Sequence, residues 1–182
     1  GPVAPEDAVT MTVPYMPAWP EFAAVYGAPT LTLGQALAGG VQVVIIGQPG
    51  IGKTVALAHV ATLAANRSEL LGALRDHVPF LLHVAHLQLP VTERKDLLAQ
   101  IVESTTQDIS VLDLSRVAKF VTATFRDGRA LLLLDGYDEL TDQGQRAVAE
   151  FLGELLKRYP STRIVMTGAP EYKVTAVRVE PA

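Results

Sequence analysis

The sequence contains no cysteine, and its 182 residues carry a net charge of −4. The absence of cysteine excludes disulfide bridges and thiolate metal sites, and it is consistent with a reducing compartment such as the cytoplasm. Lysine and arginine are scattered without forming a basic run, which argues against a nucleic-acid partner held through its phosphates. No apolar run approaches the roughly 20 residues that span a bilayer, so no membrane segment is expected.

The composition predicts one domain with a substantial core, because 49% of the residues are hydrophobic. Residues 1–28 are expected to form a lead-in or linker, since closely spaced prolines disfavour a regular helix. These prolines are Pro2, Pro5, Pro14, Pro17 and Pro20. The pair at positions 1 and 2 resembles the scar left by tag cleavage. Residues 29–182 are therefore expected to be one domain excised from a larger chain.

Apolar runs and apolar stripes of helical period alternate along the rest of the chain. Near-continuous runs, which suit strands buried on both faces, occupy residues 41–47, 78–87, 130–136 and 162–168. Helices are predicted over residues 53–65 and around the stripes at 97–102, 117–125 and 148–156. This alternation predicts an α/β fold with a doubly wound, mainly parallel sheet and helices on both faces.

The stretch GQPGIGKT, residues 47–54, fits the phosphate-binding loop of P-loop NTPases and lies between a predicted strand and a predicted helix. Its glycines let successive N–H groups point at phosphate oxygens, and the helix N-terminus favours negative charge. We expect Lys53 to reach the β- and γ-phosphates and the Thr54 hydroxyl to bind Mg²⁺. The predicted nucleotide contacts in this segment are Gly47, Gln48, Pro49, Gly50, Ile51, Gly52, Lys53, Thr54 and Val55.

A second motif, LLLLDGYDEL, occupies residues 131–140 and contains three carboxylates, Asp135, Asp138 and Glu139. Asp135 ends a predicted strand, and open α/β sheets collect their ligands at the carboxyl ends of the strands. We therefore expect Asp135 to hold Mg²⁺ through water. The alternative is an aspartate that only caps the following turn.

Together the two motifs resemble the NACHT family of signal-transduction ATPases, which includes the NOD-like immune receptors and many bacterial defence proteins. The resemblance covers about residues 41–170 and depends on a small residue after the Mg²⁺ aspartate, followed by acids three and four positions beyond that aspartate. It implies a cytoplasmic switch that binds ATP or ADP with Mg²⁺, hydrolyses ATP slowly, and acts on neighbouring domains of its parent chain and by homo-oligomerisation. The competing interpretation is an oligomerisation scaffold that holds its nucleotide permanently.

Gly136 cannot serve as a base, so a carboxylate that activates water must come from the loop beyond the strand. Asp138 is the first candidate and Glu139 the second, with Lys53 as a further catalytic residue through its phosphate contacts. The alternative for these acids is a structural role, either capping the next helix or pairing with an arginine such as Arg146.

One departure from the family pattern lies in residues 167–170, which read TGAP. NACHT proteins often have Thr-Ser-Arg-Pro there, with an arginine placed to sense the γ-phosphate, and Ala169 takes its position. Arg163 cannot substitute because it lies at the other end of the strand, about 13 Å away at about 3.3 Å per residue. We therefore expect poor discrimination between ATP and ADP, while the Thr167 hydroxyl remains able to approach the nucleotide.

Three further features carry weaker predictions. His83 and His86 form an HxxH pattern, which on a strand would place them on opposite faces and exclude a shared metal. Residues 25–27 loosely resemble the segment by which relatives grip adenine, and the aromatic residues near them suggest either an anchored linker or a flap over the nucleotide. Residues 173–180 alternate like a strand and are expected to pair antiparallel at an edge or to leave the core.

Overall fold

The computed structural model describes residues 33–38, 42–91, 97–106 and 111–169. All of these lie in the second of the two units into which the chain divides, Leu33–Ala182. The predictions for residues 1–28, including the segment at 25–27, and for residues 173–180 fall outside the described residues.

The described strands form one parallel sheet in the order β1-β4-β3-β2. Its strands are β1 (Val43–Ile46), β2 (Val78–His83), β3 (Ala130–Asp135) and β4 (Arg163–Gly168). The register places Ile46 beside Gly168 at one side of the sheet and His83 beside Asp135 at the other. The loops that follow all four strands therefore open at the same edge, where the two motifs meet.

Strand β2 ends at His83 and not at residue 87 as the apolar run predicted. A 3₁₀ turn, Val84–His86, follows at once. The reason is local, because the Nδ1 atom of His83 accepts a hydrogen bond from the backbone N–H of Ala85 at 3.2 Å and so stabilises the turn. The other predicted strands begin and end close to their expected positions.

Helices connect the strands on both sides of the sheet. They are α1 (Leu33–Ala38), α2 (Lys53–Ala65), α3 (Leu97–Thr105), α4 (Val111–Arg126) and α5 (Asp142–Arg158). Two further 3₁₀ segments are Glu69–Asp76 and Tyr137–Glu139. No helix within the described ranges combines the length and the apolar character needed to cross a membrane.

The core has two layers because β3 is buried on both faces, with residues 131–134 entirely inaccessible to solvent. Leu132 and Leu134 pack with the apolar faces of α3, α4 and α5. Leu131 and Leu133 pack on the opposite face with α2 and the Glu69–Asp76 segment. This arrangement confirms the predicted doubly wound α/β fold, and it makes Asp135 the first residue of β3 that solvent reaches.

Candidate functional site

The loop between β1 and α2 has the geometry that the GQPGIGKT motif predicts. Gly50 and Gly52 adopt the left-handed backbone, with φ of 81° and 95°, which other residues rarely adopt. A Cβ atom at Gly47 would lie 2.7 Å from the Cγ2 atom of Ile51, so the exposed Ile51 side chain would have to move. The N–H of Gly47 donates to the carbonyl of Gly168 at 3.2 Å, which attaches the start of the loop to the end of β4. Residues 48–52 are exposed and thus accessible to a ligand.

The Lys53 ammonium lies inside this loop. Its Nζ atom donates to the carbonyl of Gly47 at 2.6 Å and lies 3.4 Å from Oδ2 of Asp138. Both side chains are largely enclosed, with 10% of Lys53 and 15% of Asp138 exposed. The structure therefore brings the predicted phosphate-binding lysine into contact with the first candidate base.

Asp135 accepts hydrogen bonds on both carboxylate oxygens. The Thr54 hydroxyl donates to Oδ2 at 2.6 Å, and the Thr167 hydroxyl donates to Oδ1 at 2.8 Å. The N–H of Gly136 also donates to Oδ1, at 3.0 Å. Burial by itself raises the pKa of Asp135, but the hydrogen bonds from Thr54, Thr167 and Gly136 outweigh it and lower the pKa below its usual value. The carboxylate is therefore ionised at neutral pH.

The Thr54 and Asp135 oxygens fit a magnesium ion chemically. Mg²⁺ prefers hard oxygen ligands and usually takes only one or two from protein, keeping phosphate and water oxygens for the rest. Within the described ranges no group of three or more His, Cys, Asp or Glu residues could hold a metal. A Mg²⁺ ion in this place would thus depend on one hydroxyl, one carboxylate and the ligands that arrive with a nucleotide.

The two acids beyond Asp135 point in different directions. Gly136, with φ of 82°, opens the 3₁₀ turn Tyr137–Glu139. Asp138 faces Lys53, whereas Glu139 is 70% exposed and places its Oε2 atom 3.4 Å from Nε2 of His83. Neither acid caps α5, because the Thr141 side chain accepts the N–H of Gly144 at 3.2 Å in that role. Of the structural alternatives, helix capping is thus ruled out, and the partner of Glu139 is a histidine.

His83 is a site residue that the sequence did not reveal. The expectation that His83 and His86 face opposite sides is wrong, because β2 ends at His83 and the following turn brings the two ring centroids to 5.7 Å. His83 lies beside Asp135 in the register, and its ring occupies the space that a side chain on Gly136 would need. No signal in the sequence marks this position, because the apolar run continues to residue 87 and the strand order is set by the fold.

The family model of the NACHT domain matches residues 41–177. The chain belongs to the NACHT domain family. NACHT domains are nucleotide-binding P-loop NTPases, and the parallel sheet described above agrees with that fold. Searches of curated proteins and of solved structures give no significant match.

The structure also places the remaining predicted residues of this NACHT domain. Ala169 follows β4 directly and is 9% exposed, so the position of the family's arginine is enclosed. Thr167 is fully buried, and its hydroxyl contacts Asp135 and Gly136. Its direct contact with a nucleotide remains a prediction. Val55 is 72% exposed at the first turn of α2, and Arg163 begins β4 at the opposite edge of the sheet.

Proposed function

We propose that this NACHT domain is a molecular switch that binds ATP or ADP with Mg²⁺ and hydrolyses ATP slowly. The observation that carries the proposal is the 2.6 Å hydrogen bond between Thr54 and Asp135, residues 81 positions apart in the sequence. It joins the two motifs at the carboxyl edge of a parallel sheet, where such folds bind their ligands. The ionised carboxylate, the hydroxyl and the nearby lysine provide what a Mg²⁺-nucleotide complex requires.

Each group then has a distinct role. Backbone N–H groups of the loop after Pro49 and of the start of α2 would bind phosphate oxygens, and Lys53 would exchange its contact with Asp138 for the β- and γ-phosphates. Thr54 and Asp135 would hold Mg²⁺, which when bound would neutralise charge on the phosphates. Asp138 and Glu139 are the candidates for orienting the attacking water.

Slow hydrolysis follows from Ala169. An electrostatic donor aimed at developing charge typically contributes a factor of about 10² to 10³ in rate. With alanine in the arginine's position, the turnover number should lie well below the enzyme median of roughly 10 per second. Similar affinities for ATP and ADP are expected for the same reason.

The wider role that we propose comes from the family resemblance. The switch would change its contacts with neighbouring domains of a parent chain, promote homo-oligomerisation on activation, and act in the cytoplasm, in innate immune signalling or bacterial defence. The second candidate, a scaffold that holds its nucleotide without turnover, is supported by Ala169, because the residue that would sense the γ-phosphate is absent.

One experiment separates the two candidates. Nucleotide released from the purified chain is identified by chromatography, and its exchange with labelled ATP and the formation of phosphate are then measured with and without Mg²⁺. Exchange with slow, Mg²⁺-dependent turnover supports the switch. Bound ADP that neither exchanges nor forms from ATP would overturn the switch in favour of the scaffold.

A further inference from the structure

His83 lies at the carboxyl edge of the sheet, next to the predicted Mg²⁺ ligand. It is the last residue of β2, and the register pairs it with Asp135, the last residue of β3. Its side chain is 33% exposed, and its ring lies against Gly136 and Glu139 of the loop that follows β3. An imidazole in this position can contact side chains of that loop without entering the phosphate-binding site.

The backbone fixes the orientation and the tautomer of the ring. Nδ1 accepts the N–H of Ala85 at 3.2 Å, so Nδ1 carries no proton. The proton of the neutral imidazole is therefore on Nε2, the atom that lies 3.4 Å from Oε2 of Glu139. In its neutral form the ring thus has its N–H donor 3.4 Å from the Glu139 carboxylate.

Gly136 makes room for this ring. A Cβ atom at that position would lie 2.5 Å from Cε1 of His83 and would also collide with Nε2. The left-handed backbone at Gly136 already favours glycine, but the imidazole supplies a second and independent reason for it. The His83 ring can therefore occupy its position beside Asp135 because residue 136 has no side chain.

We infer that His83 is a positioning residue that fixes the carboxylate of Glu139 for the hydrolytic step. The inference deepens the proposed function and rests on it. Asp138 faces Lys53, whereas Glu139 is 70% exposed and its Oε2 atom lies 3.4 Å from Nε2 of His83. Without that contact as an anchor, the flexible Glu139 side chain would sample many rotamers, and water would be oriented less often.

Two substitutions separate the contact with Glu139 from the hydrogen bond to Ala85. His83→Asn keeps an acceptor at the Nδ1 position but removes the donor, and His83→Gln keeps a donor at the Nε2 position but removes the acceptor. Loss of a general base costs roughly 10² to 10⁴ in rate, so loss of its anchor alone should cost less. We expect His83→Asn to lower kcat about tenfold with nucleotide Kd within twofold, and His83→Gln to recover most of the rate.

A matched control and a double-mutant cycle complete the kinetic test. His86→Ala removes the neighbouring exposed imidazole, which forms no ion pair with Glu139 in the described part of the chain, and should leave kcat near the wild-type value. In a Glu139→Gln background, His83→Asn should cause no further loss. Wild-type kcat in His83→Asn, impaired kcat in His83→Gln, or an equal loss in the Glu139→Gln background would overturn the assignment.

The imidazole signal provides a readout that does not depend on turnover. Long-range ¹H–¹⁵N correlation spectra of the full chain should show His83 with its proton on Nε2, and Glu139→Gln should shift that Nε2 resonance. A wild-type chain without ATP turnover would refute the proposed hydrolysis. The spectrum would still show whether His83 contacts Glu139. A proton on Nδ1, or an Nε2 resonance unaffected by Glu139→Gln, would overturn the role of His83.

Discussion

Thr167→Val tests the hydrogen bonds that hold the predicted Mg²⁺ carboxylate. The Thr167 side chain is fully buried, and its hydroxyl donates to Oδ1 of Asp135 at 2.8 Å while accepting the N–H of Gly136 at 3.3 Å. Valine has nearly the same shape, so the substitution removes these bonds with little change in packing. The carboxylate then loses one of its fixed donors.

The expected loss of stability in Thr167→Val depends on the hydrogen bonds that Asp135 keeps. Hydrogen bonds to charged groups are worth about 1.5 to 3 kcal/mol, but Asp135 is partly exposed, and the N–H of Gly136 keeps its bond to Oδ1 at 3.0 Å. We therefore expect the free energy of unfolding to fall by about 1 to 2 kcal/mol. For a domain of this size that lowers Tm by roughly 2 to 8 °C. A less firmly held carboxylate should also weaken Mg²⁺-dependent nucleotide binding by up to about tenfold.

The assay combines thermal unfolding with nucleotide affinity measured in Mg²⁺ and in a chelator. Thr167→Ser is the matched control, because it keeps the hydroxyl and removes only a methyl group, at about 1 kcal/mol of stability. Thr167→Ser should retain the Mg²⁺-dependent part of the affinity, and Thr167→Val should lose part of it. A Thr167→Val variant as stable as the wild type, with the same Mg²⁺ dependence, would refute the role assigned to the hydroxyl.

Three further predictions concern the same site. Asp138→Asn should slow turnover without weakening nucleotide binding, because it removes a candidate base but no phosphate contact; unchanged turnover would count against Asp138 as a base. Ala169→Arg should shift the preference towards ATP, at some cost in stability because the position is 9% exposed; an unchanged ratio of ATP to ADP affinity would show that the strand end does not face the γ-phosphate. The pKa of Asp135 is lower in the folded state than in the unfolded state, where it is about 4. The ionised carboxylate therefore stabilises the fold above the unfolded-state pKa, and this stabilisation is lost as the pH falls through the folded-state pKa. Asp135→Asn should remove this acid-range dependence in equilibrium unfolding, and a wild-type-like pH profile would contradict the pKa assignment.

The sequence predicted those features that depend on local pattern. The buried leucines of β3 are a continuous apolar run because both of its faces are covered, and residues 53–65 form a helix with the bounds that their composition indicated. The glycines of the phosphate-binding loop were also readable, since Gly50 and Gly52 need a left-handed backbone. These properties are set within short segments, so they can be predicted without knowing which residues pack against them.

The contacts around Asp135 could not be predicted, because they depend on strand register. Thr167 and Asp135 are 32 positions apart, and only the packing of β4 against β3 brings the hydroxyl to the carboxylate. His83 reaches Glu139 because β2 stops at the turn capped by its own Nδ1, whereas the apolar run continued to residue 87. No periodicity in the sequence contains that information.

The most direct test of the central claim is the affinity of the chain for MgATP and MgADP before and after Lys53→Ala. Lys53 lies between the phosphate-binding loop and Asp138, whereas Lys157 pairs with Glu154 near the end of α5 and serves as the matched control. Wild type and Lys157→Ala should bind both nucleotides with similar affinity, and Lys53→Ala should lose most or all binding while its circular dichroism is unchanged. Unaltered nucleotide affinity in a folded Lys53→Ala variant would contradict the assignment of the phosphate-binding site.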